Sequence, residues 1–231
     1  TPIMDRSDMR RGKPAVHTRW NDNVAILSGD AMMIWAYRLL SQCDEAVLPQ
    51  LLAVFTDVAV GVCEGQQYDM DFESRDDVTV EEYLRMIELK TAVLLAGALK
   101  LGALCGGAEP VQAELLYRFG IDLGMAFQLQ DDLLDTYGDP AVFGKPVGGD
   151  ILVGKKTYLL TSALKAADAP TRARLLALLH DAEMASGEKI AAVRAVYDSL
   201  AVRQTAEHAI ASYFDEARQG LRSLRLSEER L

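Results

Sequence analysis

The sequence contains few of the residues that form disulfides or bind zinc, with three cysteines and three histidines among 231 residues. Cys43, Cys63 and Cys105 are odd in number, lie far apart and show no CxxC spacing, so neither a disulfide framework nor a zinc site is supported. Neither His180 nor His208 has a partner at metal-ligand spacing, and we expect structural roles for both. Unpaired cysteines are typical of a reducing compartment, so the expected location is cytoplasmic.

Positive charge and long apolar runs are also scarce. The 24 Lys and Arg are outnumbered by 34 Asp and Glu, which gives a net charge of −10 and argues against a nucleic-acid partner. The longest apolar run, residues 92–104, is interrupted by Lys100 and is too short to cross a bilayer, so we expect no membrane span. No signal peptide is visible, and because the chain begins with Thr1, a processed or incomplete N-terminus stays open.

No stretch of any length alternates apolar and polar residues as a strand would. Half of the residues are apolar, and they recur at helical spacing, so the expected fold class is all-α. No Pro/Ser-rich or low-complexity linker interrupts the chain, and we expect one domain over residues 1–231. After a polar loop of about twenty residues, the pattern predicts helices over 21–42, 48–68, 80–105, 110–137, 157–167, 170–185 and 188–224.

Local signals support several of these helices. Thr79 and Glu82 form a capping-box pattern at the start of the helix that ends before Gly106. The helix over 21–42 is so apolar that we expect it to be buried. Two pairs of glycines four residues apart permit a neighbouring helix to pack closely, namely Gly61 with Gly65 and Gly120 with Gly124.

The most informative stretch runs from 119 to 157. Asp131 and Asp132 follow Gln128 by three and four residues, and Asp135 follows Asp132 by three, so the four side chains form one polar strip on a helix. Three carboxylates on one face repel one another unless they face water or a cation. Mg²⁺ is such a cation, since it prefers oxygen ligands and keeps several waters.

Lysine-containing loops follow this acidic strip. Residues 144–150 read Gly-Lys-Pro-Val-Gly-Gly-Asp, and residues 154–157 read Gly-Lys-Lys-Thr. Together with the aspartates, these loops indicate a polyphosphate site in which metal ions bridge carboxylate and phosphate oxygens while lysines neutralise the remaining charge.

The ordered run from Phe127 to Asp135, with the Gly-Lys, Gly-Asp and Gly-Lys-Lys-Thr segments after it, resembles the second aspartate-rich motif and lysine loop of trans-isoprenyl diphosphate synthases, the polyprenyl synthetase family. The resemblance covers nearly the whole chain. It implies a bundle of antiparallel helices around a deep apolar cavity. It also implies a homodimer that condenses isopentenyl diphosphate with an allylic diphosphate (dimethylallyl, geranyl or farnesyl) with two to three Mg²⁺ ions, or Mn²⁺ in their place.

The resemblance also implies roles for individual residues. The metal ligands would be Asp5, Asp131, Asp132 and Asp135. Arg10 would bind the allylic diphosphate and Arg11 isopentenyl diphosphate. The catalytic set would be Lys90, Thr91, Gln128, Lys145 and Lys155, which also bind substrate together with Phe127. Gln66 and Asp69 would lie near the cavity, with Gln66 the better candidate. Because these side chains would bind ligands, we expect Asp131→Ala or Asp132→Ala to leave the fold intact.

One departure from the family pattern leaves alternatives open. Asp5 matches the last position of the first aspartate-rich motif, but Thr1 and Pro2 stand where its first two aspartates belong, so the N-terminal helices of the family are expected to be absent. One alternative is therefore a catalytically impaired partner or regulatory subunit of a prenyl synthase. A class I terpene cyclase would need an Asn/Asp, Ser/Thr, Glu motif downstream, and a di-iron bundle would need Glu-x-x-His pairs. The sequence favours neither.

Overall fold

The structure is a computed structural model that describes residues 2–4, 6–139 and 147–224. Helices dominate this part of the chain, which confirms the all-α expectation. Two compact units divide the chain at Thr56 and Asp57. The organisation as one domain stays a prediction.

The first unit begins with a small hairpin inside the expected polar loop. Strand β1 (Met9–Arg10) pairs antiparallel with β2 (Lys13–Pro14), and Arg10 stands opposite Lys13. Arg11 and Gly12 between them have φ of 52° and 73°. Two consecutive positive φ angles are the requirement of a type I′ hairpin turn, which Gly12 meets without strain.

Two helices follow in this unit, α1 (Val16–Arg19) and α2 (Asp22–Leu40). The side chain of Asn21 caps α2 by accepting a hydrogen bond of 2.9 Å from the Val24 N–H. Our expectation that this apolar helix is buried was wrong, because none of its residues is buried and Leu27 and Ile34 are 67% and 69% exposed. Composition predicts that a helix has apolar faces, but it does not show what covers them.

The next helix, α3 (Leu48–Glu73), begins in the first unit and ends in the second. Among the described residues it is the one helix that is long and apolar enough to cross a membrane, with 22% of its apolar window buried. The core helix of a soluble protein meets the same criterion of length and composition. The absence of a membrane span therefore stays our prediction.

The second unit contains the remaining elements. Their bounds are α4 (Val80–Ile87), a π-helical segment π1 (Glu88–Ala92), α5 (Val93–Cys105), α6 (Pro110–Tyr137), α7 (Gly149–Leu152), α8 (Tyr158–Ala166), α9 (Ala169–His180), α10 (Ser186–Ser199) and α11 (Val202–Arg222). The capping box at Thr79 and Glu82 is confirmed. All three cysteines are free.

Two predicted helices differ from the observed ones in their ends, since the one expected over 48–68 continues to Glu73 and the one expected over 170–185 ends at His180. Two others differ in their course. The helix expected over 188–224 is broken between α10 and α11, where Ala201 adopts a left-handed conformation with φ of 52°. No glycine or proline marks that break, so the sequence carries no local signal for it. The helix expected over 80–105 is continuous but widens to a π-helix over Glu88–Ala92. Such π segments are frequent at functional sites.

Small residues hold α3, π1, α5 and α6 close together. A Cβ atom on Gly65 would overlap the backbone nitrogen of Lys90, and a Cβ on Gly124 would overlap the Cα of Ala92. A Cβ on Gly120 would likewise overlap the backbone of Ala96. The close helix packing predicted at Gly65, Gly120 and Gly124 is confirmed. It places π1 between α3 and α6.

Candidate functional site

The π segment positions two of the predicted catalytic side chains. Lys90 and Thr91 lie in its middle, between the close approaches at Gly65 and Gly124. The Thr91 hydroxyl donates a hydrogen bond of 3.1 Å to the Oε1 atom of Gln128 on α6. The Lys90 Nζ atom lies 2.5 Å from the Oδ2 atom of Asp69 on α3. Residues from three helices therefore meet at this point.

Asp132 is the most buried member of the acidic strip, with 1% of its surface exposed. Its carboxylate accepts hydrogen bonds from the Tyr83 hydroxyl, from the Tyr158 N–H at 3.0 Å and from Gln128 Nε2 at 3.2 Å. Burial raises the pKa of Asp132 to about 6, although the Tyr83 and Tyr158 hydrogen bonds lower it. The Asp132 side chain is therefore part of the core, whereas we expected it only to bind ligand, and the effect of Asp132→Ala on the fold stays a prediction.

Asp135 is tied to the segment from Gly148 to Asp150. Its Oδ2 atom accepts a hydrogen bond of 2.9 Å from the Asp150 N–H at the start of α7, and its carbonyl accepts one of 2.6 Å from the Gly148 N–H. Partial burial, and then the charge of Asp150, raise the pKa of Asp135. The third aspartate of the strip therefore anchors α7 to α6.

Asp131 differs from both. It is partly exposed, and no hydrogen bond or ion pair involves its carboxylate within residues 2–4, 6–139 and 147–224. Over the same residues, no group of three or more His, Cys, Asp or Glu side chains is gathered as a metal site. The assignment of Asp131, Asp132 and Asp135 as metal ligands stays a prediction, and Asp131 is the member whose oxygens are available.

Lys155 faces the same charged region. Its Nζ atom lies 3.3 Å from the Oδ1 atom of Asp150. Desolvation lowers the pKa of this ammonium group, but the nearby charges of Asp150, Asp132 and Asp69 outweigh it, so the pKa is raised. Lys155 therefore stays protonated. Lys156 contacts other groups, the carboxylate of Asp76 at 3.5 Å and the Gly154 carbonyl at 3.3 Å.

The structure brings only part of the predicted site together. Hydrogen bonds join Thr91, Gln128 and Asp132. Asp135 and Lys155 both contact Asp150, and Lys90 pairs with Asp69. Phe127 is 63% exposed. Arg10 and Arg11 belong to the hairpin of the first unit. Asp5 and Lys145 lie outside the described residues.

Sequence reasoning missed Tyr83 and assigned no contact at this site to Asp69 or Asp150, although it had named both. Tyr83 donates to Asp132, and a signal for it existed, because it precedes Lys90 by seven residues and so lies about two helical turns earlier on the same face. Asp69 contacts Lys90, although we had preferred Gln66. Asp150 contacts both Asp135 and Lys155 and was part of the quoted Gly-Asp segment.

The deep apolar cavity implied by the resemblance stays a prediction. A cleft of about 550 Å³ lies between the end of α3 and the start of α4. Among the described residues, its lining includes Tyr68, Phe72, Arg75 and Arg85, but no residue of the acidic strip or of 147–157. This cleft is therefore separate from the candidate site.

Known proteins with the same arrangement identify the family. The family model described as polyprenyl synthetase matches residues 3–198. The chain belongs to the polyprenyl synthetase family. A short chain isoprenyl diphosphate synthase of Methanothermobacter thermautotrophicus is 45% identical to it over 178 residues, which are 77% of this chain and 55% of that protein. The chain thus spans little more than half the length of that relative.

Solved structures of the same family agree with the fold. The crystal structure of a geranylgeranyl pyrophosphate synthase superimposes with a TM-score of 0.92 at 44% identity, covering 99% of this chain and 71% of that one. A geranylgeranyl pyrophosphate synthase from Corynebacterium glutamicum, complexed with isoprenyl diphosphate and magnesium, gives a TM-score of 0.86 at 30% identity and covers 99% and 70%. The likeness supports the isoprenoid synthase-type bundle expected from the sequence.

Proposed function

We propose that this chain is a prenyltransferase that condenses isopentenyl diphosphate with an allylic diphosphate to make a short- or medium-chain trans-polyprenyl diphosphate. The observation that carries this proposal is the position of two ammonium groups, Lys90 and Lys155, on carboxylates around the Thr91–Gln128 contact. Each lysine pairs with an aspartate, and a diphosphate oxygen can replace that aspartate as the partner of the ammonium group. Membership of the polyprenyl synthetase family supports the same activity.

The residues present fit Mg²⁺, because carboxylate oxygens are the ligands that this ion prefers. Asp131 would be the first ligand, with Asp135 and Asp132 beside it on α6. Asp5 is a further predicted ligand outside the described residues. Bound Mg²⁺ would stabilise negative charge on the departing diphosphate. The number of ions and the use of Mn²⁺ belong to this proposal.

The protein's own groups support ionisation of the allylic substrate. Lys90 and Lys155 place positive charge where the diphosphate leaves. The Thr91 hydroxyl donates a hydrogen bond to Gln128, so the lone pairs of its oxygen remain available to an allylic cation. The double bond of isopentenyl diphosphate then attacks the cation, and a proton is lost to the released diphosphate. The product is longer by one isoprene unit.

A prenyl-transfer assay tests the proposal. Labelled isopentenyl diphosphate is supplied with dimethylallyl, geranyl or farnesyl diphosphate, with and without Mg²⁺. We expect elongation that requires the metal and is abolished by a chelator, and the product gives the chain length. Folded protein that binds diphosphate without elongating any substrate would contradict the proposal and favour the impaired partner subunit.

Lys155→Met is expected to weaken binding of the allylic diphosphate. A charge-assisted hydrogen bond contributes about 1.5–3 kcal/mol, so we expect KM for that substrate to rise by about ten- to one-hundredfold. Steady-state kinetics with the allylic substrate varied provides the measurement. Lys165→Met is the matched control, because Lys165 pairs with the exposed Glu81 away from the site. An unchanged KM in Lys155→Met would remove Lys155 from the diphosphate site.

The cytoplasmic location and the homodimer implied by the resemblance are part of this proposal. No residue is assigned to a dimer interface. Light scattering on the purified chain measures the oligomeric state, and a monomer at assay concentration that elongates substrate would reject the homodimer.

A further inference from the structure

Tyr83 makes a contact that the proposed reaction does not explain by itself. Its side chain is 2% exposed, and its hydroxyl donates a hydrogen bond to the Oδ2 atom of Asp132. The ring centroid of Tyr158 lies 6.4 Å from that of Tyr83, so the two rings pack against each other.

Asp132 connects this hydroxyl to the predicted catalytic residues. One carboxylate oxygen, Oδ2, accepts from the Tyr83 hydroxyl and the Tyr158 N–H, and the other, Oδ1, accepts from Gln128 Nε2 at 3.2 Å. The Gln128 Oε1 atom then accepts from the Thr91 hydroxyl at 3.1 Å. The four side chains form a continuous series that begins in the core and ends at Thr91.

The chemistry of these groups fixes the direction of every bond. An ionised carboxylate only accepts hydrogen bonds, so Gln128 must present its NH₂ group to Asp132. That choice turns the Gln128 carbonyl oxygen toward Thr91, whose hydroxyl must then donate. The lone pairs of the Thr91 oxygen are left facing away from Gln128. Reversing the Gln128 amide would place two acceptors against each other at Asp132.

We propose that Tyr83 is a positioning residue for prenyl transfer, which fixes the Asp132 carboxylate and thereby orients the Gln128 amide and the Thr91 hydroxyl. The proposal rests on the proposed function for its kinetic consequence. The hydrogen-bond series itself does not depend on that function. Without the Tyr83 hydroxyl, the Asp132 carboxylate retains the Tyr158 N–H at Oδ2 and Gln128 Nε2 at Oδ1, so it loses one of the three hydrogen bonds that fix its rotation.

Tyr83→Phe removes only the hydroxyl and tests this role. We expect kcat to fall about tenfold, the equivalent of one lost hydrogen bond, while KM for both diphosphates stays within about twofold. Tyr137→Phe is the matched control. This substitution also removes a tyrosine–aspartate hydrogen bond, the one of 2.7 Å from the Tyr137 hydroxyl on α6 to Asp198. That bond involves none of the four residues of the series. The kcat of Tyr137→Phe should equal that of the parent chain.

A kcat that is unchanged in Tyr83→Phe, or an effect confined to KM, would overturn the positioning role. The side-chain amide resonances of Gln128 in ¹⁵N-labelled, metal-free protein provide a readout that needs no turnover. We expect them to shift and broaden in Tyr83→Phe and to stay unchanged in Tyr137→Phe. If the parent chain elongates nothing, the proposed function fails, but these resonances still decide whether Tyr83 orients Gln128.

A variant that keeps the fold is available if Tyr83→Phe does not fold. Incorporation of 2,3-difluorotyrosine at position 83 preserves the ring shape and makes the hydroxyl a stronger donor. We expect the Gln128 amide resonances to move without broadening. Resonances that coincide with those of the parent chain would show that Tyr83 does not act on Gln128.

Discussion

Asp131→Ala is expected to lower kcat for prenyl transfer by about a thousandfold, since a bound metal supplies several kcal/mol of charge stabilisation in the transition state. The Asp131 carboxylate is partly exposed and has no hydrogen-bond or ion-pair partner within the part of the chain that the structure describes, so its removal costs no core contact. The melting temperature should therefore stay within about 2 °C of the parent value, as for other substitutions at the surface. Single-turnover kinetics and thermal unfolding measure the two quantities.

Asp132→Ala is the informative comparison, because the two aspartates are adjacent in sequence but differ in burial. Its removal leaves the Tyr83 hydroxyl and the Tyr158 N–H without their acceptor in the core. Each unsatisfied buried group costs about 1–3 kcal/mol, so we expect a loss of about 2–5 kcal/mol in the free energy of unfolding. Urea unfolding measures it. Equal stability of Asp131→Ala and Asp132→Ala would refute the division between an available carboxylate and a core carboxylate.

The sequence predicted the parts of this site that depend on helix geometry. Gln128, Asp131, Asp132 and Asp135 share a strip of α6 because residues three and four apart lie on one face, and that spacing needs no tertiary information. Sequence could not separate their roles. Whether a carboxylate faces ligand or core depends on the partner helices, here the Tyr83 hydroxyl from α4 and the Tyr158 N–H from α8.

The same limit applies to the fold. Capping at Thr79 and the close packing of Gly120 and Gly124 follow from local chemistry and were predicted correctly. The π segment and the left-handed Ala201 were not predicted, since neither contains a residue that requires those conformations. Tertiary packing determines both. The contact of Asp69 with Lys90 also depends on the crossing of α3 and π1, which periodicity alone does not show.

Gly65→Ala tests whether that crossing is necessary. The added Cβ would overlap the backbone nitrogen of Lys90 and the carbonyl carbon of Leu89, and backbone atoms cannot rotate away as a side chain can. Inserting a methyl group into such a contact costs about 1–3 kcal/mol and occasionally more, so we expect a loss near the upper end of that range. Urea unfolding followed by far-UV circular dichroism gives the free energy of unfolding.

Gly61→Ala is the matched control one helical turn earlier. Its Cβ would lie 3.5 Å from the Leu89 Cδ2 atom, an ordinary contact with a side chain. Because alanine is about 0.5–1 kcal/mol better than glycine inside a helix, we expect Gly61→Ala to be neutral or slightly stabilising. The two substitutions are chemically identical and lie on the same helix. They differ in that only position 65 lies against the backbone of π1. If Gly65→Ala were as stable as Gly61→Ala, α3 would not set the position of π1, and the placement of Lys90 and Thr91 would need another explanation.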